Sequence, residues 1–142
     1  MCGIFAVIGS REVSSLLIDG LRKLEYRGYD SAGVATINRV NNDQNGKINV
    51  IKAKGKLINL SNLIKKEPPK GQIGIAHTRW ATHGKPNEIN AHPHLDSSGQ
   101  IAVVQNGIIE NHRELSHALK LEGIELTSET DTEIIPHLIS LE

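Results

Sequence analysis

The chain begins Met1-Cys2-Gly3-Ile4-Phe5-Ala6-Val7-Ile8-Gly9. An apolar run this close to the N-terminus predicts a buried strand, which holds the terminus inside the fold. The same stretch carries the only cysteine of the chain, at position 2. Loss of the initiator Met makes Cys2 the first residue and puts a thiol and a free α-amine on one carbon. The ordinary pKa values of those two groups differ by less than about one unit. A nucleophile and a base so matched suit covalent catalysis near neutral pH. A small residue after Met is unremarkable by itself, so the weight falls on what the other polar stretches add.

Composition narrows the classes. The 142 residues suffice for one domain with its own core. Basic and acidic residues number 16 each, so no net charge draws the chain to nucleic acid or an anionic membrane. A single cysteine excludes an internal disulfide and fits a reducing, cytoplasmic setting. The first apolar run is short and lacks the basic lead of a secretory signal. No apolar run approaches the roughly 20 residues of a membrane span. The only aromatics are Phe5, Tyr26, Tyr29 and Trp80, so the core is expected to be Ile, Leu, Val and Ala. Leu141-Glu142 falls inside an apolar-periodic run with no helix stop signal, so the chain reads as a fragment or a domain cut short.

Along the chain, Val13, Leu16, Leu17, Gly20, Leu21 and Leu24 recur at helical spacing, with Ser10 as a candidate cap. Residues 26–33 show no period and read as a structured loop. A strand is expected over 33–37, and the polar stretch 41–46 ends in Asn45-Gly46, a hairpin signal. Ile48, Val50 and Ala53 alternate on the returning strand. Leu57, Leu60, Leu63 and Ile64 suggest a helix stopped by Pro68-Pro69. Short buried strands are expected over 73–76 and 101–104, with a loop over 86–93 between them. Asn111 and Glu114 form a capping-box pattern for a helix ending near Gly123. Residues 128–133 are expected to open a last helix, with Pro136 near its first turn. Polar clusters follow strand ends three times, and strands joined by a hairpin favour an α+β class with antiparallel sheet.

Seven histidines invite a metal reading, but His77 and His83 are six apart and His92 and His94 two apart. Neither is the helical pair of a zinc protease, and there is no second cysteine, so no metal and no cofactor is expected. Arg79, in a loop at a strand end, suits bidentate binding of a carboxylate. Asn106-Gly107 offers a side-chain amide and a backbone N–H, the donors of an oxyanion hole, although Asn-Gly is also a common turn. Asp131 suits either an ammonium partner or a helix cap. Together these groups fit an amino acid carrying a side-chain amide. Sulfur attack on that amide would release ammonia and leave a thioester for water.

The motifs are Cys2-Gly3-Ile4, LEYRGYDSAG at 24–33, HTRWATHG at 77–84, NAHPH at 90–94, NGIIENH at 106–112 and SETDTE at 128–133. Carrying them in this order, the chain resembles the glutaminase domain of the glutamine–fructose-6-phosphate aminotransferase family. The resemblance implies an N-terminal nucleophile hydrolase fold, two antiparallel sheets between helical layers, here apparently truncated. It implies L-glutamine as substrate, Cys2 as nucleophile and its α-amine as base. It assigns Asn106 and Gly107 to the oxyanion hole and Arg79 and Asp131 to the glutamine carboxylate and amine. Thr82 and His83 would contribute to the pocket, Trp80 to a loop closing over it, and Arg27 to ordering the site. Residues 1–142 would be the N-terminal part of a type-2 amidotransferase domain. A sugar-isomerase domain outside this chain would receive the ammonia, in an enzyme expected to be a homo-oligomer. Position 105 is Gln where some relatives have His. Two other readings stay open: the glutaminase domain of a phosphoribosyl-type amidotransferase, and a glutamine-binding fragment without catalysis.

Overall fold

The computed structural model describes residues 1–38 and 46–142. The apolar N-terminal run forms β1 (Gly3–Ile8). It joins β2 (Ser31–Ile37), β3 (Asn49–Lys54) and β4 (Ile73–Arg79) in one antiparallel sheet ordered β1-β4-β2-β3. Phe5 faces Ala76, Val34 faces Ala76 from the other side, and Ala32 faces Ala53. The period of two therefore gathers Phe5, Val7, Ala32, Val34, Ile51, Ala53 and Ala76 on one face.

Two helices cover that face. α1 (Ser14–Arg22) brings Leu17, Ile18 and Leu21, and α2 (Leu57–Lys66) brings Leu57, Leu60 and Ile64. Leu17, Leu21 and Leu60 are fully buried, each stabilising the fold by about 2 kcal/mol. α1 starts later than a Ser10 cap would put it. Residues 9–13 are first tied to the entry of β4: Gly9 N–H donates to Gln72 O, Val13 N–H to Gly71 O, and Gly71 N–H to the Glu12 carboxylate. Helical hydrogen bonding begins only after those bonds are made. The turn expected at Asn45-Gly46 lies outside the described residues at Asn45, but the strands it would join, β2 and β3, do pair antiparallel.

The opposite face of the sheet carries His77 and Arg79, because β4 runs three residues past the expected end at 76 and pairs with both β1 and β2. Over this face lies a second layer. It contains the loop 90–93, a short antiparallel pair of β5 (His94–Leu95) and β6 (Ala102–Val103), α3 (His112–Leu121) and α4 (Ile134–Ser140). Asn111 stands at the N-terminus of α3 but makes no side-chain cap bond. α4 begins at Ile134, because the Glu133 carboxylate accepts from the backbone and hydroxyls of Thr127 and Ser128. Those bonds close 127–133 into a turn rather than a first helical turn.

The two layers approach closely at Gly33, where a Cβ would fall on the carbonyl oxygen of His92. β2 is paired on both sides, so its backbone has no room to move away. Gly33→Ala is expected to destabilise the fold by about 3 kcal/mol, the upper end of overpacking costs. A urea titration should show a lower midpoint at unchanged slope. A loss under about 1 kcal/mol would mean that the 90–93 loop yields easily.

Candidate active site

Where β1 begins and β4 ends, a cavity of about 400 Å³ opens between the layers. Every candidate taken from the sequence lines it except His83: Cys2, Arg27, Arg79, Trp80, Thr82, Asn106, Gly107 and Asp131. Cys2 is held there by its neighbour. A Cβ at Gly3 would lie 2.8 Å from both Leu24 Cδ1 and Thr78 Oγ1, so only glycine lets β1 seat this deeply. The Trp80 N–H donates to Cys2 Sγ at 3.2 Å, while the Trp80 carbonyl lies 3.7 Å from the same sulfur. The sulfur is thus clamped by the backbone of one residue, whose indole is half exposed at the rim.

Asn106 sits across from the sulfur's own residue. Its Nδ2 donates to the Cys2 carbonyl at 3.3 Å, and its Oδ1 accepts from His77 Nε2 at 2.8 Å. Asp131 is 4% exposed and accepts from the Ile109 N–H at 2.7 Å through Oδ2. That contact fixes the carboxylate across the turn that follows Asn106-Gly107, and no cap of α4 is made by it. The Asp131 side chain therefore bridges two loops, which the cap reading did not foresee.

Arg79 ends β4 with its side chain buried. Its guanidinium donates to the carbonyls of His83, Gly84 and Lys85. Burial lowers its pKa, opposed chiefly by the nearby Asp30 carboxylate and also by those of Asp131 and Glu129. The 83–85 loop is braced from behind: Asn90 Nδ2 donates to Lys85 O and to Glu129 Oε2, each at 2.9 Å. Arg79 is thus a wall of the cavity and the centre of the loop that shapes it. His83 departs from expectation for that reason. Its carbonyl is drawn to Arg79, and its ring turns out of the cavity to pack edge-on against His112, centroids 5.0 Å apart.

Met1 also lines the cavity. Its ammonium donates to the carbonyls of Arg27 at 2.7 Å and Gly28 at 3.1 Å, and its sulfur lies 3.9 Å from Arg27 Nη2. The cavity is also lined by His77 and His92, weighed above only as metal ligands, by Gln105, noted above only as a departure from some relatives, and by Thr130 and Thr132, which the sequence does not single out. Extending the alternation of 73–76 by three residues would have put His77 and Arg79 on one face together. Among the described residues, no three His, Cys, Asp or Glu side chains come together as metal ligands.

A family profile described as a glutamine amidotransferase domain matches residues 77–142. A glutamine–fructose-6-phosphate aminotransferase (isomerizing) from Clostridium acetobutylicum is 57% identical over 139 residues, 98% of this chain. A protein of the same name from Synechocystis is 55% identical over 140 residues, 99% of this chain. Residues 77–142 thus match a glutamine amidotransferase domain, and the chain is similar over nearly its whole length to part of these aminotransferases. Solved structures agree on the fold. The glutamine phosphoribosylpyrophosphate amidotransferase of B. subtilis superposes with a TM-score of 0.79 at 25% identity, covering 100% of this chain and 30% of its own. A structure described as the allosteric regulatory enzyme of purine biosynthesis gives 0.81 at 26% identity, covering 100% of this chain and 30% of its own. These amidotransferase folds bear out the α+β, N-terminal nucleophile class expected from the sequence. The chain spans only about a fifth of the aminotransferases it matches, 22% and 21% of their lengths. No helix among its described residues is long and apolar enough to cross a membrane.

Proposed function

We propose that this chain hydrolyses L-glutamine to glutamate and ammonia through a Cys2 thioester. The observation that carries the reading is the meeting of Cys2 Sγ, the Asn106 amide, Arg79 and Asp131 in one cavity of about 400 Å³. With Met1 removed, the Cys2 α-amine takes the thiol proton. The sulfur attacks the side-chain amide carbon of glutamine, and the carbonyl π pair moves onto oxygen. Asn106 has a second Nδ2 hydrogen beyond the one given to the Cys2 carbonyl, and with the Gly107 N–H it would hold that oxyanion. The C–N bond then breaks as the ammonium returns its proton to the leaving nitrogen. Water, deprotonated by the same amine, cleaves the thioester, restoring the thiol and releasing glutamate.

Arg79 and Asp131 hold the substrate's carboxylate and ammonium in this reading. The guanidinium has five N–H donors, so a ligand can share it with the loop carbonyls. Arg27 keeps the N-terminus in register, Thr82 lines the pocket, and Trp80 covers its mouth. The ammonia goes to fructose 6-phosphate, giving glucosamine 6-phosphate on a sugar-isomerase domain outside residues 1–142, which form the N-terminal part of the glutaminase domain. The names of the relatives at 55–57% identity support that acceptor over a phosphoribosyl one. The lone thiol suits a cytoplasmic setting.

Incubated with glutamine and fructose 6-phosphate, the chain is expected to form glutamate and ammonia in equal amounts and no amino sugar. Amino sugar made by these residues alone would overturn the domain assignment. Binding of glutamine without any glutamate formed would leave a binding module in place of a glutaminase.

A further inference from the structure

A column of imidazoles starts in the cavity wall. His77, fully buried on β4, stacks on His92 with centroids 4.2 Å apart and planes 15° apart, and His92 meets His94 edge-on at 4.8 Å. His77 Nε2 is 3.0 Å from the Gln105 carbonyl and 2.8 Å from Asn106 Oδ1. We propose that His77 is a positioning residue that decides which end of the Asn106 amide faces Cys2, resting on the reading of Asn106 as oxyanion donor.

The argument turns on the Gln105 carbonyl. An amide side chain can rotate to present either O or NH2, but a backbone carbonyl only accepts. With that oxygen 3.0 Å away, Nε2 must carry the ring hydrogen. Burial keeps the ring uncharged, its pKa pushed down to about 4, so there is only one hydrogen to place. Nδ1 is left bare, and it has no partner among the described residues. Nε2–H can then share its hydrogen with Asn106 only if Oδ1 points at it. The NH2 end is turned by default to Cys2, where it reaches the Cys2 carbonyl at 3.3 Å.

The reverse amide orientation is disfavoured on two counts. It would set NH2 against Nε2–H, donor against donor. Moving the hydrogen to Nδ1 would bury an orphan donor and leave the Gln105 carbonyl facing a lone pair. The Gln105 carbonyl itself is held in place, since its residue's N–H donates to His92 Nδ1 at 3.4 Å and its side chain accepts from Thr132 at 2.9 Å. The imidazole column thus sets the polarity of the oxyanion site without touching the substrate's reacting atoms.

The test compares the Met1-free chain with His77→Phe, His77→Gln, Asn106→Ala and the His77→Phe/Asn106→Ala double variant. Phe keeps a flat ring on His92 and removes the donor; Gln keeps an N–H donor. Two probes separate the states. Glutamate γ-semialdehyde adds the Cys2 sulfur to its carbonyl carbon, the oxygen taking the proton, and so fills the oxyanion site. Glutamate itself binds without that bond. His77→Phe is expected to lower kcat for glutamine about 10²-fold, the scale of a lost oxyanion donor, with KM within about threefold. It should weaken semialdehyde binding by a like factor while leaving glutamate affinity alone. His77→Gln should restore most of both, and the double variant should be no worse than Asn106→Ala. Equal loss for both ligands, no rescue by Gln, or additive losses in the double variant would overturn the positioning role while the glutaminase reading stands. A wild-type chain that neither hydrolyses glutamine nor takes up the semialdehyde would overturn both.

Discussion

Protein that has lost Met1 is expected to hydrolyse glutamine and to be alkylated at Cys2 by an electrophilic glutamine analogue, and an otherwise identical chain that keeps Met1 to do neither. Two features of the site combine here. While Met1 is present, the nitrogen of Cys2 is an amide and has no basic lone pair for the thiol proton. Met1 also occupies the cavity wall, its ammonium bound to the Arg27 and Gly28 carbonyls at 2.7 and 3.1 Å. Removal frees both the base and the space. Cys2→Ala in the processed chain should lower hydrolysis by about 10⁴-fold or more, as loss of a covalent nucleophile does elsewhere. Glutamine binding should survive it, because Arg79 and Asp131 are untouched. Intact mass shows whether Met1 is present and reads the adduct in the same measurement. Equal labelling and equal rates with and without Met1 would falsify the α-amine as base, and the Trp80 N–H on the sulfur would become the activating contact to examine.

Much of this arrangement is visible in the sequence, for reasons that are local. The alternation in β1 and β2, the helical spacing of Leu17, Leu21, Leu57 and Leu60, and the proline stop after α2 are short-range signals, and the elements form where they point. Cys2, Asn106 and Arg79 are legible because their chemistry is rare in such positions. What escapes is fixed by contacts across the chain. Ser10 loses its capping role to Glu12 and Gly71, 59 residues apart. β4 runs on through Arg79 because β1 and β2 both pair with it as far as Thr78, and Ser31 of β2 pairs with Arg79, which a four-residue apolar run does not announce.

The same distinction explains what the motifs do not show of the site. His83 and Arg79 lie in one motif, and motif membership alone suggests one pocket. The backbone carbonyl of His83 is instead the group Arg79 uses, which sends the His83 ring away. Asp131 is read as an ammonium partner or a cap, and its bond to the Ile109 N–H, from a loop that sequence distance hides, replaces only the cap. His77 is weighed in the sequence only as a metal ligand, because nothing local shows the two oxygen acceptors that its ring meets.

Mild acid is the condition under which this column should fail. His77, His92 and His94 are 0%, 5% and 3% exposed. Burial pushes His77 down to about 4 and His94 to about 3, with Lys52 adding to the second, and drives His92 well below the ordinary imidazole range. Lys52 and Arg79 lie near enough to oppose protonation, and Glu133 only partly offsets them at His94. The unfolded chain takes up these protons near the ordinary pKa of about 6.5, while the folded chain refuses them until far lower pH. Stability is therefore fully present above about pH 6.5 and falls as pH drops through the gap toward 4. Each imidazole contributes about 1.4 kcal/mol per pH unit, so the three together remove about 4 kcal/mol by pH 5.5. That is a large part of the roughly 5–15 kcal/mol that holds a domain together. Urea midpoints should be level between pH 7.5 and 7 and fall steeply between 6.5 and 5. His94→Gln should make the fall shallower by about one proton's worth. A midpoint unchanged from pH 7.5 to 5 would mean that the folded column accepts protons as readily as the open chain, which its burial against β4 forbids.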